Sequence, residues 1–168
     1  VGSEGTLGII TRIVFKLIPL PQKSITLLIP FKSSEDACKA VSLIFMAGIT
    51  PCALEFIERD AIDWALKYSD VKLNIEDDVD AHLLVEVDGN DIEALYVDCE
   101  NIQEVVSQFE CREITLADND SHKDMLWKLR RSVAEAVKSN STYKEEDTVV
   151  PRAELPKLLK GVKKIGND

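Results

Sequence analysis

The sequence predicts an α+β fold: a ferredoxin-like, duplicated βαβ sandwich with helices packed on an antiparallel sheet. Three observations carry this. Short β-branched runs alternate with amphipathic helical stretches, the strand–helix–strand–helix order occurs twice, and the strands read as half-exposed, which calls for helices over one face of the sheet. The 168 residues suffice for one domain with a core plus an appendage.

Residues 9–19 (IITRIVFKLIP) alternate and then run apolar, rich in β-branched side chains, which predicts a strand. Pro19 and Pro21 stop it and stiffen the connector, since each removes a ladder donor and fixes φ. A second strand is expected over 25–31. Ser33 or Ser34 can cap the next helix, whose first turn carries Glu35 and Asp36, favourable at the positive end of the dipole. Ala37, Ala40, Val41, Ile44 and Phe45 form its buried stripe, and Gly48 ends it. Residues 53–57 then read as a strand and 59–68 as a short helix. After an acidic loop the pattern repeats: a strand over 82–87 broken by Gly89-Asn90, a helix over 92–109, and a strand over 112–116. A long helix is expected over 121–138, an extended piece over 148–150 and a final helix over 153–164.

Composition excludes several functions. A net charge of −10 would repel a nucleic-acid backbone, whose binding needs clustered Lys and Arg, and it disfavours an anionic membrane surface equally. No apolar run approaches the roughly 20 residues needed to span a bilayer, and no signal-peptide pattern opens the chain. Cysteines 38, 52, 99 and 111 and histidines 82 and 122 show no zinc spacing, so reduced thiols in a cytoplasmic protein are expected, and both histidines are read as ordinary residues. The acidic runs at 76–80 and 145–147 read as solvated loops, lacking the glycine and later glutamate of an EF-hand. No metal site is expected.

Two places can carry chemistry. In the opening VGSEGTLGII, Gly2, Gly5 and Gly8 let the backbone approach a ligand or take positive φ, and exposed N–H groups in such a turn can hold an anion. A purely structural turn is the alternative. It is neither a Walker loop nor a dinucleotide fingerprint, because no Lys-Ser/Thr follows and a strand comes next. The second place is the long helix. At about 100° per residue, Leu126, Leu129, Val133, Ala136 and Val137 form the core stripe; Arg130 lies roughly 70° from its centre, and Arg131 points away. Trp127 and Ala134 flank Arg130 on a partly sheltered face. An arginine there can grip a ligand carboxylate in two-pronged fashion, or pair with a nearby Asp or Glu. Glu55 and Glu86, on strands, can face either a pocket or solvent.

The string GSEGTLGIITRIVFKLIPLP resembles the end of the FAD-binding domain in flavoenzymes of the vanillyl-alcohol-oxidase type. It is most similar to their 2-hydroxy-acid branch: D-lactate dehydrogenases, the glycolate oxidase flavin subunit and D-2-hydroxyglutarate dehydrogenase. LLVEVDGND, LWKLRRSVAEAV and EEDTVVPRAELPKLL resemble further family segments in the same order, so the likeness spans essentially the whole chain. The resemblance implies that Glu4, Gly5, Thr6, Leu7, Gly8, Ile9 and Ile10 line an FAD site. It implies that residues 1–21 are the tail of the FAD-binding domain and 22–168 the substrate domain, truncated before its end. It also implies that Arg130 holds a substrate carboxylate. Lys144 aligns with a substrate-contacting lysine in part of the family, although its spacing to Pro151 is one residue longer here.

On this resemblance the parent protein oxidises a 2-hydroxy acid of the glycolate or D-lactate type to a 2-oxo acid, with hydride passing to FAD. Its partners would be the hydroxy acid, an N-terminal FAD domain, and an external electron acceptor such as an iron–sulfur protein. A histidine-rich metal-binding segment would lie outside this sequence, and this part alone would be inactive. The contrasting expectation is a stand-alone α+β module that holds a small anion between helix termini without catalysis.

Overall fold

Strand β1 (Lys23–Phe31) sets the layering of the computed structural model, which describes Ser3 and residues 5–167. Ile25, Leu27, Ile29 and Phe31 point to one side of the strand, and Thr26, Leu28 and Pro30 to the other. All seven are buried. A strand buried on both sides needs a layer over each. The chain supplies them in the order β1, α1 (Ser34–Met46), β2 (Ala53–Glu58), α2 (Arg59–Tyr68), β3 (Ala81–Gly89), α3 (Ile92–Val106), β4 (Thr115–Ala117), α4 (Asp120–Asn140) and α5 (Leu155–Asn167), with a 3₁₀ turn at Arg152–Glu154. The fold is α+β.

The sheet order is β2-β3-β1-β4, and every neighbouring pair is antiparallel. Helices α1 and α3 close one face, where Ile25, Ile29 and Phe31 meet Leu83, Val85, Ile44 and Ile102 in the largest core. On the other face Leu126 of α4 packs on Leu28, Leu84 and Ala117. Helix α2 completes that side, with Ile62 and Ala65 against Leu129 of α4. The expectation of helices over one face is therefore corrected to helices over both. The physical reason lies in the near-continuous apolar runs of β1 and β3, which leave no side suited to water.

The helix signals act as read. The Ser33 side chain accepts the Asp36 N–H at 3.3 Å, with Glu35 and Asp36 in the first turn. Gly48, at φ 86, lets the chain turn back so that the Ile49 N–H reaches the Ile44 carbonyl at 3.3 Å. Helix α2 spans the expected residues. Helix α3 ends at Val106, three residues early, and β4 lies at Thr115–Ala117 rather than over 112–116.

One expected element is missing. Residues 9–19 form no strand. Ile9, Val14 and Leu17 are 86%, 89% and 88% exposed, so the side chains on both sides of the segment face solvent. β-branched composition favours a strand only where another strand supplies ladder partners, and among the described residues none lies beside this segment. Pairing starts at Gln22, whose N–H meets the Gly89 carbonyl at 3.1 Å. No helix of the described residues is long and apolar enough to cross a membrane.

Candidate active site

Polar groups concentrate on the sheet face that α4 covers. The two-residue period places Thr26, His82, Glu86 and Glu55 on that face, among Leu28, Leu84 and Ile57. Thr26 and Glu86 stand opposite each other on β1 and β3, and the Thr26 hydroxyl donates to the Glu86 carboxylate at 2.9 Å. The Trp127 indole N–H, from α4, donates to the same carboxylate oxygen. Three residues further along α4, the Arg130 guanidinium meets Glu55: Nε and Nη2 both reach Oε2, each at 3.0 Å. Each strand carboxylate thus has its partner on α4.

Helical phasing holds along α4. Leu126, Leu129 and Ala136 of the expected stripe are buried, and its Val133 and Val137 are half-buried beside the cleft described next. Trp127, Arg130 and Ala134 are half-buried, and Arg131 is exposed. Beside Arg130 lies a cleft of about 360 Å³, lined by Phe56, Ile57, Glu58, Ala61, Arg130, Val133, Ala134, Val137, Tyr143 and Glu145. Arg130 is the only cation among these. Tyr143 donates to the Glu145 carboxylate at 2.6 Å, and that bond holds the Tyr143 hydroxyl above its ordinary pKa. The cleft therefore offers one guanidinium among apolar side chains and the carboxylates of Glu58 and Glu145.

Larger cavities lie elsewhere, and they too hold ion-paired cations. One of about 670 Å³ under α3 and β4 includes Arg112, whose Nε–Nη2 edge is engaged by Asp78 as that of Arg130 is by Glu55. Another of about 520 Å³ contains Lys163, which is tied to Glu58 at 2.8 Å. Lys144 pairs with Glu146, is 83% exposed, and does not line the Arg130 cleft. The structure does not bring it together with Arg130.

The glycine-rich opening sits apart from the cleft. Its Glu4 lies outside the described residues. The Thr6 N–H closes a turn on the Ser3 carbonyl at 2.9 Å, and Gly5 takes φ 79. A side chain at Gly5 or Gly8 would meet no atom within 4 Å, so the outer surface of this turn is open. Leu7, Gly8, Ile9 and Ile10 are exposed, and among the described residues their backbone groups make no bonds outside the turn. Such a surface fits one edge of a bound group. It does not enclose one.

The remaining candidates are structural. His82 is 2% exposed; burial, and then the nearby Arg59, push its pKa down to about 4, and Nδ1 has no partner. The imidazole is neutral. His122 stands at the N-terminus of α4, where its N–H is capped by Asn119 at 3.1 Å. All four cysteines are free, and burial raises the Cys38 and Cys99 thiols to about 11, which makes them poor nucleophiles. Among the described residues no group of three His, Cys, Asp or Glu could hold a metal ion. Of the two readings of Arg130, the structure shows the pairing with a nearby carboxylate, that of Glu55. Sequence reasoning did not say which carboxylate, and it missed the Trp127–Glu86 partnership. The signal for both was present: Glu55 and Glu86 each stand between apolar strand residues, and a carboxylate there needs a donor.

The family model for FAD linked oxidases, C-terminal domain, matches residues 20–168. The chain belongs to this family. It is 34% identical over 164 residues to a D-lactate dehydrogenase of Anaerostipes hadrus, covering 95% of this chain and 34% of that protein. Glycolate oxidase subunit GlcD of Bacillus subtilis is 32% identical over 166 residues, covering 98% and 35%. The same subunit of Escherichia coli is 31% identical over 165 residues, covering 98% and 32%. The chain spans about a third of the length of these curated relatives. Family membership agrees with the resemblance carried by the four sequence segments.

Proposed function

We propose that this chain is the substrate-domain part of a flavin-dependent oxidoreductase that oxidises a 2-hydroxy acid of the glycolate or D-lactate type to the 2-oxo acid. The observation that carries the reading is Arg130, the single cation lining an otherwise apolar and acidic cleft in an FAD linked oxidase domain. The relatives named D-lactate dehydrogenase and glycolate oxidase support the substrate class. FAD, when bound, supplies the hydride acceptor. Arg130 would hold the substrate carboxylate and so orient the hydroxyl-bearing carbon, while Val133, Ala134 and Val137 exclude water beside it. A second carboxylate on the substrate would meet Glu58 and Glu145 rather than a cation, which favours monocarboxylates. Because Lys144 is not among the residues that line the cleft, the carboxylate would go to Arg130.

Gly5, Thr6, Leu7, Gly8, Ile9 and Ile10 would form one edge of the FAD site through their open backbone, with Glu4 beside them. We place the end of the FAD-binding domain at residue 21; the family match, which starts at residue 20, supports that boundary. The strand order β2-β3-β1-β4 supports reading the sheet as a duplicated, ferredoxin-like βαβ unit with α1 and α3 as the two crossovers. The four free thiols support a reducing, cytoplasmic setting. An external electron acceptor would complete the cycle.

The test is anaerobic reduction of the full-length flavoenzyme that contains this chain. Glycolate or D-lactate should bleach the flavin absorbance and yield the 2-oxo acid. A flavin that stays oxidised with every 2-hydroxy acid tried would sink the proposal. The 168-residue chain alone, mixed with FAD, should lose the yellow colour on gel filtration.

A further inference from the structure

Arg130 lines the cleft, yet the group that holds it lies elsewhere. Its Nε and Nη2 both meet Oε2 of Glu55 at 3.0 Å, and Glu55 is not among the cleft-lining residues. A guanidinium has two edges able to grip a carboxylate: the side formed by Nε with Nη2, and the end formed by Nη1 with Nη2. Glu55 occupies the side edge. The Glu55 backbone is held in place, because it is registered opposite the buried Leu84, and its neighbours Leu54 and Phe56 pack into the core on the far face of the sheet. The two side chains are 37% and 35% exposed, and ion pairs so open to water add little to stability.

We infer that Glu55 is a positioning residue: it fixes the side edge of Arg130 so that the end edge faces the cleft and receives the carboxylate of the hydroxy acid. This inference rests on the function proposed above. It opposes the simple electrostatic expectation. If Glu55 merely competed for the guanidinium, removing its charge would free Arg130 and tighten substrate binding. If Glu55 aims the guanidinium, removing its charge loosens binding, because Arg130 must then be ordered at the moment the substrate arrives.

The experiment uses the full-length flavoenzyme with Glu55→Gln, Arg130→Lys and the double variant. Three quantities are read: KM and kcat for the best hydroxy acid, the Kd of the 2-oxo acid product from its perturbation of flavin absorbance, and the thermal midpoint. Glu55→Gln should raise KM and the product Kd about tenfold while kcat changes less than about threefold. The midpoint should move by no more than about 2 °C. Because Glu55 acts through Arg130, the double variant should be no worse than Arg130→Lys alone. Unchanged or tighter binding in Glu55→Gln, or losses that add in the double variant, overturns the inference while leaving the proposed function standing. A wild-type enzyme that neither oxidises a hydroxy acid nor binds a 2-oxo acid overturns both.

Discussion

The two faces of the central sheet are built from the same strands and differ in what they tolerate. The face under α1 and α3 takes Ile25, Leu27, Ile29 and Phe31 from β1 and Ala81, Leu83, Val85 and Val87 from β3, without a polar side chain among them. The face under α4 takes Thr26 and Leu28 from β1, His82, Leu84 and Glu86 from β3, and Glu55 from β2. One face is a closed core whose shape matters. The other spends strand positions on carboxylates that need donors from a helix, and the helix that supplies them carries the cleft arginine. Polar groups placed where apolar ones would pack are the mark of a surface kept for something besides stability.

The comparison breaks most easily on the apolar face. Phe31 is fully buried and stacks in tilted fashion on Phe109, with ring centroids 6.2 Å apart. Phe31→Ala should cost about 3–5 kcal/mol of stability, from lost transfer energy and the cavity left behind. Urea unfolding of the 168-residue chain checks this; a loss below 1 kcal/mol would mean that face is not the principal core.

On the polar face the largest effect should be functional. In the full-length enzyme, Arg130→Lys keeps the charge but loses the planar two-pronged contact, so kcat/KM should fall roughly ten- to a hundredfold or more. Arg131→Lys, one residue along and exposed, should stay within about 0.5 kcal/mol of wild type. Equal losses at the two positions, seen in steady-state kinetics, would remove both the phasing of α4 and the role given to Arg130.

His82 tests the polar face by stability. Its pKa is near 6.5 when unfolded and about 4 in the fold, chiefly through burial. Between those values the unfolded state binds more protons, so its contribution is complete above pH 6.5 and is lost as the pH falls toward 4. Stability should drop by about 2 kcal/mol between pH 7 and pH 5 through this residue. His82→Leu, compared with wild type by urea unfolding at both pH values, should remove that difference. An equal drop in the variant would show that other groups cause it.

How much of this was readable from sequence follows from which signals are local. β1, α1, α2 and β3 were legible because apolar spacing, the Ser33 cap and Gly48 act within a few residues. Residues 9–19 have strand composition without a partner in the structure, and strand formation depends on a partner that composition cannot supply. The second helical layer was implied by the apolar runs of β1 and β3, had they been read as buried on both sides. For the site, the phase of Arg130 was legible from the helix alone. Glu55 as its partner was not: 75 residues separate them, and only the crossing of α4 over the β2 edge brings them together.

The smallest effect is expected at Lys144, and it sharpens the contrast between a cation inside the cleft and one beside it. Lys144 lies between Tyr143 and Glu145, both of which line the cleft, yet its ammonium pairs with Glu146 and is 83% exposed. A lysine is a flexible, well-hydrated point charge, and an exposed pair of this kind contributes about 0–1 kcal/mol. Lys144→Gln in the full-length enzyme should therefore leave the thermal midpoint within about 1–2 °C and KM within about twofold. Salt gives a second measure. At 0.5 M NaCl a contribution from Lys144 as a distant charge would be screened, and wild type and variant should coincide. A tenfold rise in KM that persists at high salt would mean the 141–151 segment swings Lys144 into the cleft on substrate binding. The carboxylate would then be shared between two cations, and the assignment of that contact to Arg130 alone would fall.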